Sequence, residues 1–95
     1  MHELDRLPCV KQGLWFRAGV TACHVRIVRH HVLFGSGEPD DPPELARDRE
    51  QDCYYIRFDL PHAEPAWQDG GAALSLREAV FMAERRLGPL VCWND

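Results

Sequence analysis

The sequence predicts a small α+β domain in which an antiparallel sheet is covered on one face by a single amphipathic helix. Residues 75–89 carry a helix start signal, a helical apolar period and a helix stop signal. Residues 10–28 and 53–60 alternate apolar and polar side chains, as half-buried strands do. A chain of 95 residues can build one core. We therefore expect a single domain over residues 1–95, with the element order β-β-β-α.

The helix is the most strongly specified element. Ser75 followed by Glu78 is a capping box, in which the serine oxygen accepts a hydrogen bond from the glutamate amide. Gly88 and Pro89 end the helix, because glycine adopts the left-handed cap and proline cannot continue the ladder. The apolar stripe that should face the sheet is formed by Leu76, Ala79, Val80, Ala83 and Leu87.

Residues 10–28 are predicted to form a β-hairpin that turns near Ala18-Gly19. A loop of even length would pair Leu14 with Cys23 and would segregate apolar from polar side chains on both strands. The helix-facing side would then carry Val10, Gln12, Leu14, Phe16, Cys23, Val25 and Ile27, and the opposite side would carry Lys11, Trp15, Arg17, His24 and Arg26.

Changes in apolar alternation and in composition predict a bulge, a loop and a third strand after this hairpin. The alternation changes parity after Ile27, which predicts a bulge near residues 28–31. Residues 35–51 are acidic and contain three prolines, so we expect a mobile loop with at most one short helix after a capping box at Asp41–Glu44. The third strand is predicted over Cys53–Leu60, with Tyr55 and Arg57 on the face away from the helix.

The last two segments of the chain are a connection and a short strand. Residues 61–71 are predicted to be a loop anchored by Trp67, because they contain two prolines and Asp69-Gly70-Gly71. Residues 90–93 can add a short C-terminal strand to the sheet.

Composition excludes several classes of protein. The net charge is −4, and a dedicated duplex-DNA-binding domain is usually basic. No apolar run approaches the length of a membrane span, and the first residues do not resemble a secretory signal. The 4 cysteines form no C-x-x-C pair and are expected to be reduced, so we predict a cytoplasmic protein without a metal or a cofactor.

The face of the sheet that the helix leaves open is the predicted binding site. Aromatic and cationic side chains on one sheet surface can hold a protein or a small-molecule ligand, or can stack and neutralise single-stranded nucleic acid. The residues of this predicted site are Trp15, Arg17, His24, Arg26, Tyr55 and Arg57.

A second set of residues predicts self-association. Phe81 and Met82 lie outside the apolar stripe of the helix, where large apolar side chains are unusual. One helix on one sheet cannot readily cover these two side chains together with Trp15 and Tyr55. We therefore predict a homodimer or higher oligomer, centred either on Phe81 and Met82 or on Trp15 and Tyr55.

Enzymatic and metal-binding functions remain alternatives to a binding protein. His24, His30 and His31 are close in sequence, and Asp40 and Asp41 could complete a metal site with them. Cys23 or Cys53 could act as a nucleophile with His24 or His62, but neither begins a helix and the chain has no nucleophile elbow. The leading hypothesis is thus a small self-associating binding protein, with no catalytic residue assigned.

Overall fold

Five antiparallel strands form one sheet, and a single long helix lies across one of its faces. The computed structural model describes residues 3–88 and 91–94. A 3₁₀ turn at Glu3–Arg6 is the first element of the chain. The strands are β1 (Cys9–Arg17), β2 (Thr21–Leu33), β3 (Arg49–Asp59), β4 (Trp67–Ala73) and β5 (Cys92–Trp93). The helices are α1 (Pro43–Ala46) and α2 (Leu76–Leu87). The lateral strand order is β4-β3-β2-β1-β5. The predicted α+β class and the antiparallel sheet covered by one helix are confirmed.

The α2 helix begins and ends where the sequence predicts. The Ser75 hydroxyl accepts a hydrogen bond from the Glu78 amide at 3.1 Å, and the Gly88 amide donates to the Glu84 carbonyl at 3.0 Å. Gly88 has a φ of 102°, which is unfavourable for any residue with a Cβ. Pro89 lies outside the described residues. Nowhere in residues 3–88 and 91–94 is there a helix long and apolar enough to cross a bilayer.

The strand β4 was not predicted from the sequence, which indicated a loop over most of this segment. It pairs antiparallel with β3 and occupies one edge of the sheet. Its sequence includes Gly70-Gly71-Ala72-Ala73, which has little strand propensity. Gly70 is required there, because a Cβ at this position would lie 2.7 Å from Cγ2 of Ile56. The predicted order β-β-β-α is thus incomplete, since β4 precedes the helix and β5 follows it within the predicted 90–93 segment.

The predicted register of the β1–β2 hairpin is wrong by one residue. Arg17 pairs with Thr21, and Trp15 rather than Leu14 pairs with Cys23. The turn therefore has three residues, and both Ala18 and Gly19 have positive φ values, 52° and 75°. A slip of one residue moves every side chain of a strand to the other face.

The corrected register changes what β1 contributes to each side of the sheet. Trp15 belongs to the core beneath α2, whereas Leu14 and Phe16 alternate to the other face. The helix-side core consists of Trp15, Cys23, Val25, Ile27, Ile56, Phe58, Ala73, Ala79 and Ala83. The predicted stripe of α2 is confirmed, because Leu76, Val80 and Leu87 pack against this core as partly buried residues.

The far face, by which we mean the sheet face opposite α2, is not open as the sequence analysis expected. Leu4, Val28, Cys53 and Tyr55 form a second buried cluster there. The 3₁₀ turn at Glu3–Arg6 supplies Leu4, which is 3% exposed, and so covers part of this face. The sheet is therefore sandwiched between a helix on one side and an N-terminal turn on the other.

The bulge predicted near residues 28–31 is confirmed. The pairing of β2 with β3 shifts register between His30 and Val32. Ile27 and Val28 are buried on opposite faces of the sheet. Ile27 lies in the helix-side core, and Val28 lies in the second cluster on the far face. Both side chains are fully buried, which explains the change in apolar parity that the sequence displays.

Backbone hydrogen bonds join the beginning and the end of the segment between β2 and β3. The Ser36 amide donates to the Leu45 carbonyl at 2.9 Å, and the Gly37 amide donates to the Ala46 carbonyl at 3.1 Å. The expected short helix is α1, but the capping box is wrong, because the N-cap position is Pro42 and has no side-chain hydrogen bond. β3 begins at Arg49, earlier than the predicted Cys53. Mobility of this loop remains a prediction.

Candidate ligand-binding site on the far face

The far face holds an open cavity of about 880 Å³, which we call the larger cavity. This volume lies within the range of pockets that hold small molecules. Its apolar lining includes Leu4, Phe34, Tyr55, Pro65, Trp67 and Ala72, and its polar lining includes Asp5, Arg57, Glu64, Gln68 and Asp69. A mainly apolar wall with a few polar groups at fixed positions is typical of a ligand-binding site.

A buried ion pair forms part of this lining. Nε of Arg57 donates to Oδ1 of Asp5 at 2.8 Å, and its NH2 group donates to Oδ2 at 3.2 Å. The two side chains are only 4% and 2% exposed. This bidentate geometry neutralises both charges and fixes the guanidinium plane. The position of Arg57 is therefore set by the N-terminal turn that carries Asp5.

Tyr55 is also held in one orientation at this site. Its hydroxyl donates to the Val32 carbonyl at 3.1 Å and accepts from the Phe34 amide at 2.9 Å. Burial raises the pKa of the Tyr55 hydroxyl, so the group remains a neutral donor well above neutral pH. The ring of Phe34 packs on Tyr55 with the centroids 5.7 Å apart. The end of β2 and the start of the following loop are thereby anchored to the cavity wall.

A second cavity of about 330 Å³, which we call the smaller cavity, shares Trp67 with the larger one. Its lining also includes Gln12, His24, Arg26 and Asn94. The guanidinium carbon of Arg26 lies 5.7 Å from the centroid of the Trp67 ring, which is within cation–π range. Trp67 therefore lines both of these neighbouring cavities.

One cross-strand row connects the two cavities. Gln12 on β1 pairs with Arg26 on β2, Arg26 pairs with Arg57 on β3, and Arg57 pairs with Asp69 on β4. Cross-strand partners project from the same face of a sheet. The row thus runs from the lining of the smaller cavity to that of the larger cavity, and its charged side chains share one surface.

The predicted binding residues divide between the two faces. His24, Arg26, Tyr55 and Arg57 lie on the far face and line one of the two cavities. Trp15 is on the helix side instead, only 7% exposed, with Nε1 donating to the His24 carbonyl at 3.1 Å. Arg17 is exposed at the end of the hairpin, opposite Thr21. The expected far-face placement of Trp15 and Arg17 is wrong because of the register slip.

Sequence reasoning missed the contribution of Asp5 and of β4 to this site. Asp5 lies in a short segment without periodicity, so no pattern connects it with Arg57. Arg57 was expected on an open face of the sheet, so its position in the strand did not indicate that a buried carboxylate must neutralise it. Trp67 was expected only as the anchor of a loop, and its strand brings Gln68 and Asp69 into the cavity wall.

The predicted interface residues Phe81 and Met82 have different environments. Phe81 is 58% exposed, and the guanidinium of Arg85 lies 5.7 Å from its ring centroid. Met82 packs against the helix-side core, and its Cε would lie 3.2 Å from a Cβ at Gly71. Met82 is thus partly covered within the chain, contrary to the expectation from the helical stripe.

The histidines considered for metal binding do not converge with carboxylates. The rings of His30 and His31 are 4.9 Å apart in an edge-to-face arrangement, whereas His24 is at the smaller cavity. Across residues 3–88 and 91–94, no group of three or more histidine, cysteine, aspartate or glutamate side chains could hold a metal ion.

The two cysteines considered as nucleophiles are buried structural thiols. Burial raises the pKa of both Cys23 and Cys53, which disfavours the reactive thiolate. The Cys53 thiol donates to the Val32 carbonyl at 3.3 Å, and the Cys23 thiol donates to the Thr21 carbonyl at 3.5 Å. These environments argue against a nucleophilic role for either thiol.

No protein family, curated protein or solved structure matches this chain.

Proposed function

We propose that this chain is a binding protein that holds a small, mainly apolar molecule in the larger cavity on the far face. The observation that carries this proposal is the cavity itself, which is about 880 Å³ in volume and is lined in part by the neighbouring strands β3 and β4. Tyr55 and Arg57 are both nearly fully buried and held by hydrogen bonds, so the polar groups in the wall are preorganised. Preorganised groups lose little side-chain entropy when a ligand binds.

The same geometry gives less support to single-stranded nucleic acid as the ligand. Base stacking requires exposed aromatic faces. Trp15 lies under α2 at 7% exposure, and Tyr55 is 5% exposed with its hydroxyl hydrogen-bonded on both sides. Two of the rings on which that alternative depended are therefore unavailable for stacking.

The experiment that tests the proposal uses octanol as a neutral apolar probe. Ala72 lines the larger cavity, so Ala72→Phe should fill part of it and weaken octanol binding about tenfold or more. Ala22→Phe is the matched control, because Ala22 is exposed on β2 and lines neither cavity. Binding would be measured by ligand-observed NMR on variants with unchanged far-ultraviolet circular dichroism. Equal octanol affinity of Ala72→Phe and wild type would contradict the proposal.

Self-association remains a second proposal, now with a narrower basis. Trp15 and Tyr55 are buried within the chain, so neither needs a partner for cover. Phe81 on α2 remains 58% exposed, and Leu74, just before the start of α2, remains 52% exposed. A homodimer centred on Phe81 would be dissociated by Phe81→Asp but not by Ala22→Asp, because Ala22 is exposed on the opposite face of the sheet. A monomer mass for wild type in light scattering at high concentration would exclude it.

A cytoplasmic location also remains a proposal. Cys9, Cys23, Cys53 and Cys92 all lie within the described residues and form no disulfide. Thiols persist in reducing compartments and tend to oxidise in secreted proteins, which supports this location.

A further inference from the structure

We propose that the ligand of the far face is a zwitterion, with a carboxylate that binds Arg26 in the smaller cavity and an ammonium group that binds beside Glu64 and Asp69 in the larger cavity. This inference rests on the proposed function of the same site and adds the chemical class of the ligand. It follows from the unequal distribution of charge between two cavities that share Trp67.

The anionic end is assigned from the environment of Arg26. Arg26 and Arg57 are cross-strand neighbours, but Arg57 is neutralised by Asp5. Among the described residues no carboxylate forms an ion pair with Arg26, whose guanidinium instead lies over the Trp67 ring. A half-buried guanidinium is a strong donor pair for a planar carboxylate.

Asp59, the acid nearest in register to Arg26, forms its hydrogen bond with the backbone. Asp59 lies in the next cross-strand row, and its Oδ1 accepts a hydrogen bond from the His24 amide at 2.7 Å. Among residues 3–88 and 91–94, the lining of the smaller cavity consists of Gln12, Gly13, His24, Val25, Arg26, Trp67 and Asn94 and includes no carboxylate. An anion entering this cavity would therefore meet donors and a positive charge.

The cationic end is assigned from the charges of the larger cavity. Asp5 and Arg57 cancel each other, which leaves Glu64 and Asp69 as the uncompensated charges among the described residues of its lining. Glu64 is exposed, and Asp69 uses Oδ1 to accept from the Gly71 amide at 2.9 Å. Two carboxylates at the wall of a mainly apolar cavity favour a ligand with a positive charge.

The length of the ligand follows from the sheet. Arg26 and Asp69 lie two strands apart in the row through Arg57. Since neighbouring strands are about 4.8 Å apart, the two charges recognised by these residues are separated by about 10 Å. Trp67 lies in the lining of both cavities and offers its indole to the apolar body between the charged ends.

The test compares four probes that share one alkyl chain. These are ω-aminooctanoate, which carries both charges, octylamine, octanoate, and the neutral octanol. Calorimetric titration should give the highest affinity for ω-aminooctanoate, with each single-charge analogue about tenfold weaker, because each lacks one charge-assisted hydrogen bond. This comparison is made on the wild-type chain and does not depend on any variant.

Two variants assign the charged ends. Arg26→Gln should lower the affinity for ω-aminooctanoate to that of octylamine and leave octylamine unchanged. Glu64→Gln should weaken octylamine but not octanoate. Arg77→Gln on α2 is the matched control, because Arg77 is exposed on the opposite side of the sheet.

The outcomes separate this inference from the function on which it rests. If octanol binds and Ala72→Phe prevents its binding, but ω-aminooctanoate is no tighter than octanol, the zwitterion is excluded and the binding function stands. If neither octanol nor ω-aminooctanoate binds, both are excluded. Equal ω-aminooctanoate affinities of Arg26→Gln and wild type would overturn the assignment of the carboxylate to Arg26.

Discussion

Arg26 and Arg57 face each other across β2 and β3, and like charges in this arrangement destabilise a sheet. The chain accommodates them differently. Asp5 binds Arg57 through two hydrogen bonds, whereas Trp67 covers Arg26 with its ring. The charge of Arg57 is therefore neutralised within the cavity wall, and the charge of Arg26 is the one that we propose binds a ligand.

The ion pair between Asp5 and Arg57 predicts a large loss of stability on removal of one partner. Asp5→Ala should lower the free energy of unfolding by about 3–5 kcal/mol, because it leaves a buried guanidinium without its counter-charge. Asp52→Ala is the control, since its contact with Arg29 at 3.5 Å is between side chains 69% and 57% exposed. That control should cost at most about 1 kcal/mol. Similar urea midpoints for the two variants would show that the pair is not buried in solution.

Buried thiols and a buried phenol predict a loss of stability at alkaline pH. Burial raises the pKa of Cys23, Cys53 and Tyr55, so the folded chain disfavours their ionised forms. Their contribution is fully present below the pKa of the unfolded chain, about 8.5 for cysteine and about 10 for tyrosine, and is lost as pH rises above it. The free energy of unfolding should fall in this range, and less so in the Cys23→Ala, Cys53→Ala double variant. An equal fall in that variant would exclude the thiols as the cause.

At the scale of elements, α2 was predictable because its signals are local. Ser75 and Gly88 specify its ends through hydrogen bonds within one turn, and the stripe between them needs only a helical period. The hairpin was less predictable, because an even loop and the observed three-residue turn differ by one residue. The left-handed conformation of Ala18 has no distinctive sequence signal.

β4 illustrates a second limit of sequence reasoning. Its Gly70 fits because Ile56 of β3 lies too close for a larger side chain, which is a tertiary requirement. Propensity alone indicated a loop in this segment, because glycine is depleted in strands. The far-face cavity was unpredictable for the same reason, since its wall combines Asp5, the edge strand β4 and the residues that follow β2.

The close packing of α2 on the sheet predicts the effect of enlarging its small residues. Ala79 and Ala83 are fully buried in the helix-side core. Ala83→Leu should destabilise the fold by about 1–3 kcal/mol, because the added atoms have no space between helix and sheet. Arg77→Leu on the exposed side of α2 is the control and should change the urea midpoint little. An unchanged midpoint for Ala83→Leu would mean that α2 lies farther from the sheet.

In the whole molecule, the sheet separates the helix-side core from the two cavities of the far face. The face under α2 holds a buried apolar core with Trp15, Ile27 and Ile56, which stabilises the fold. The far face carries a smaller buried cluster and two cavities that share Trp67. The far face therefore exposes charged and aromatic groups, and we propose that a ligand binds them.

We propose that the far face, and not the helix, is the binding surface of this protein. Heteronuclear NMR of the labelled chain during titration with ω-aminooctanoate distinguishes the two surfaces. We predict that the Trp67 indole resonance and the amides of Tyr55, Arg57 and Ala72 shift together, while those of Phe81 and Arg85 on α2 do not. Shifts confined to α2, with the Trp67 indole unchanged at saturation, would exclude binding on the far face.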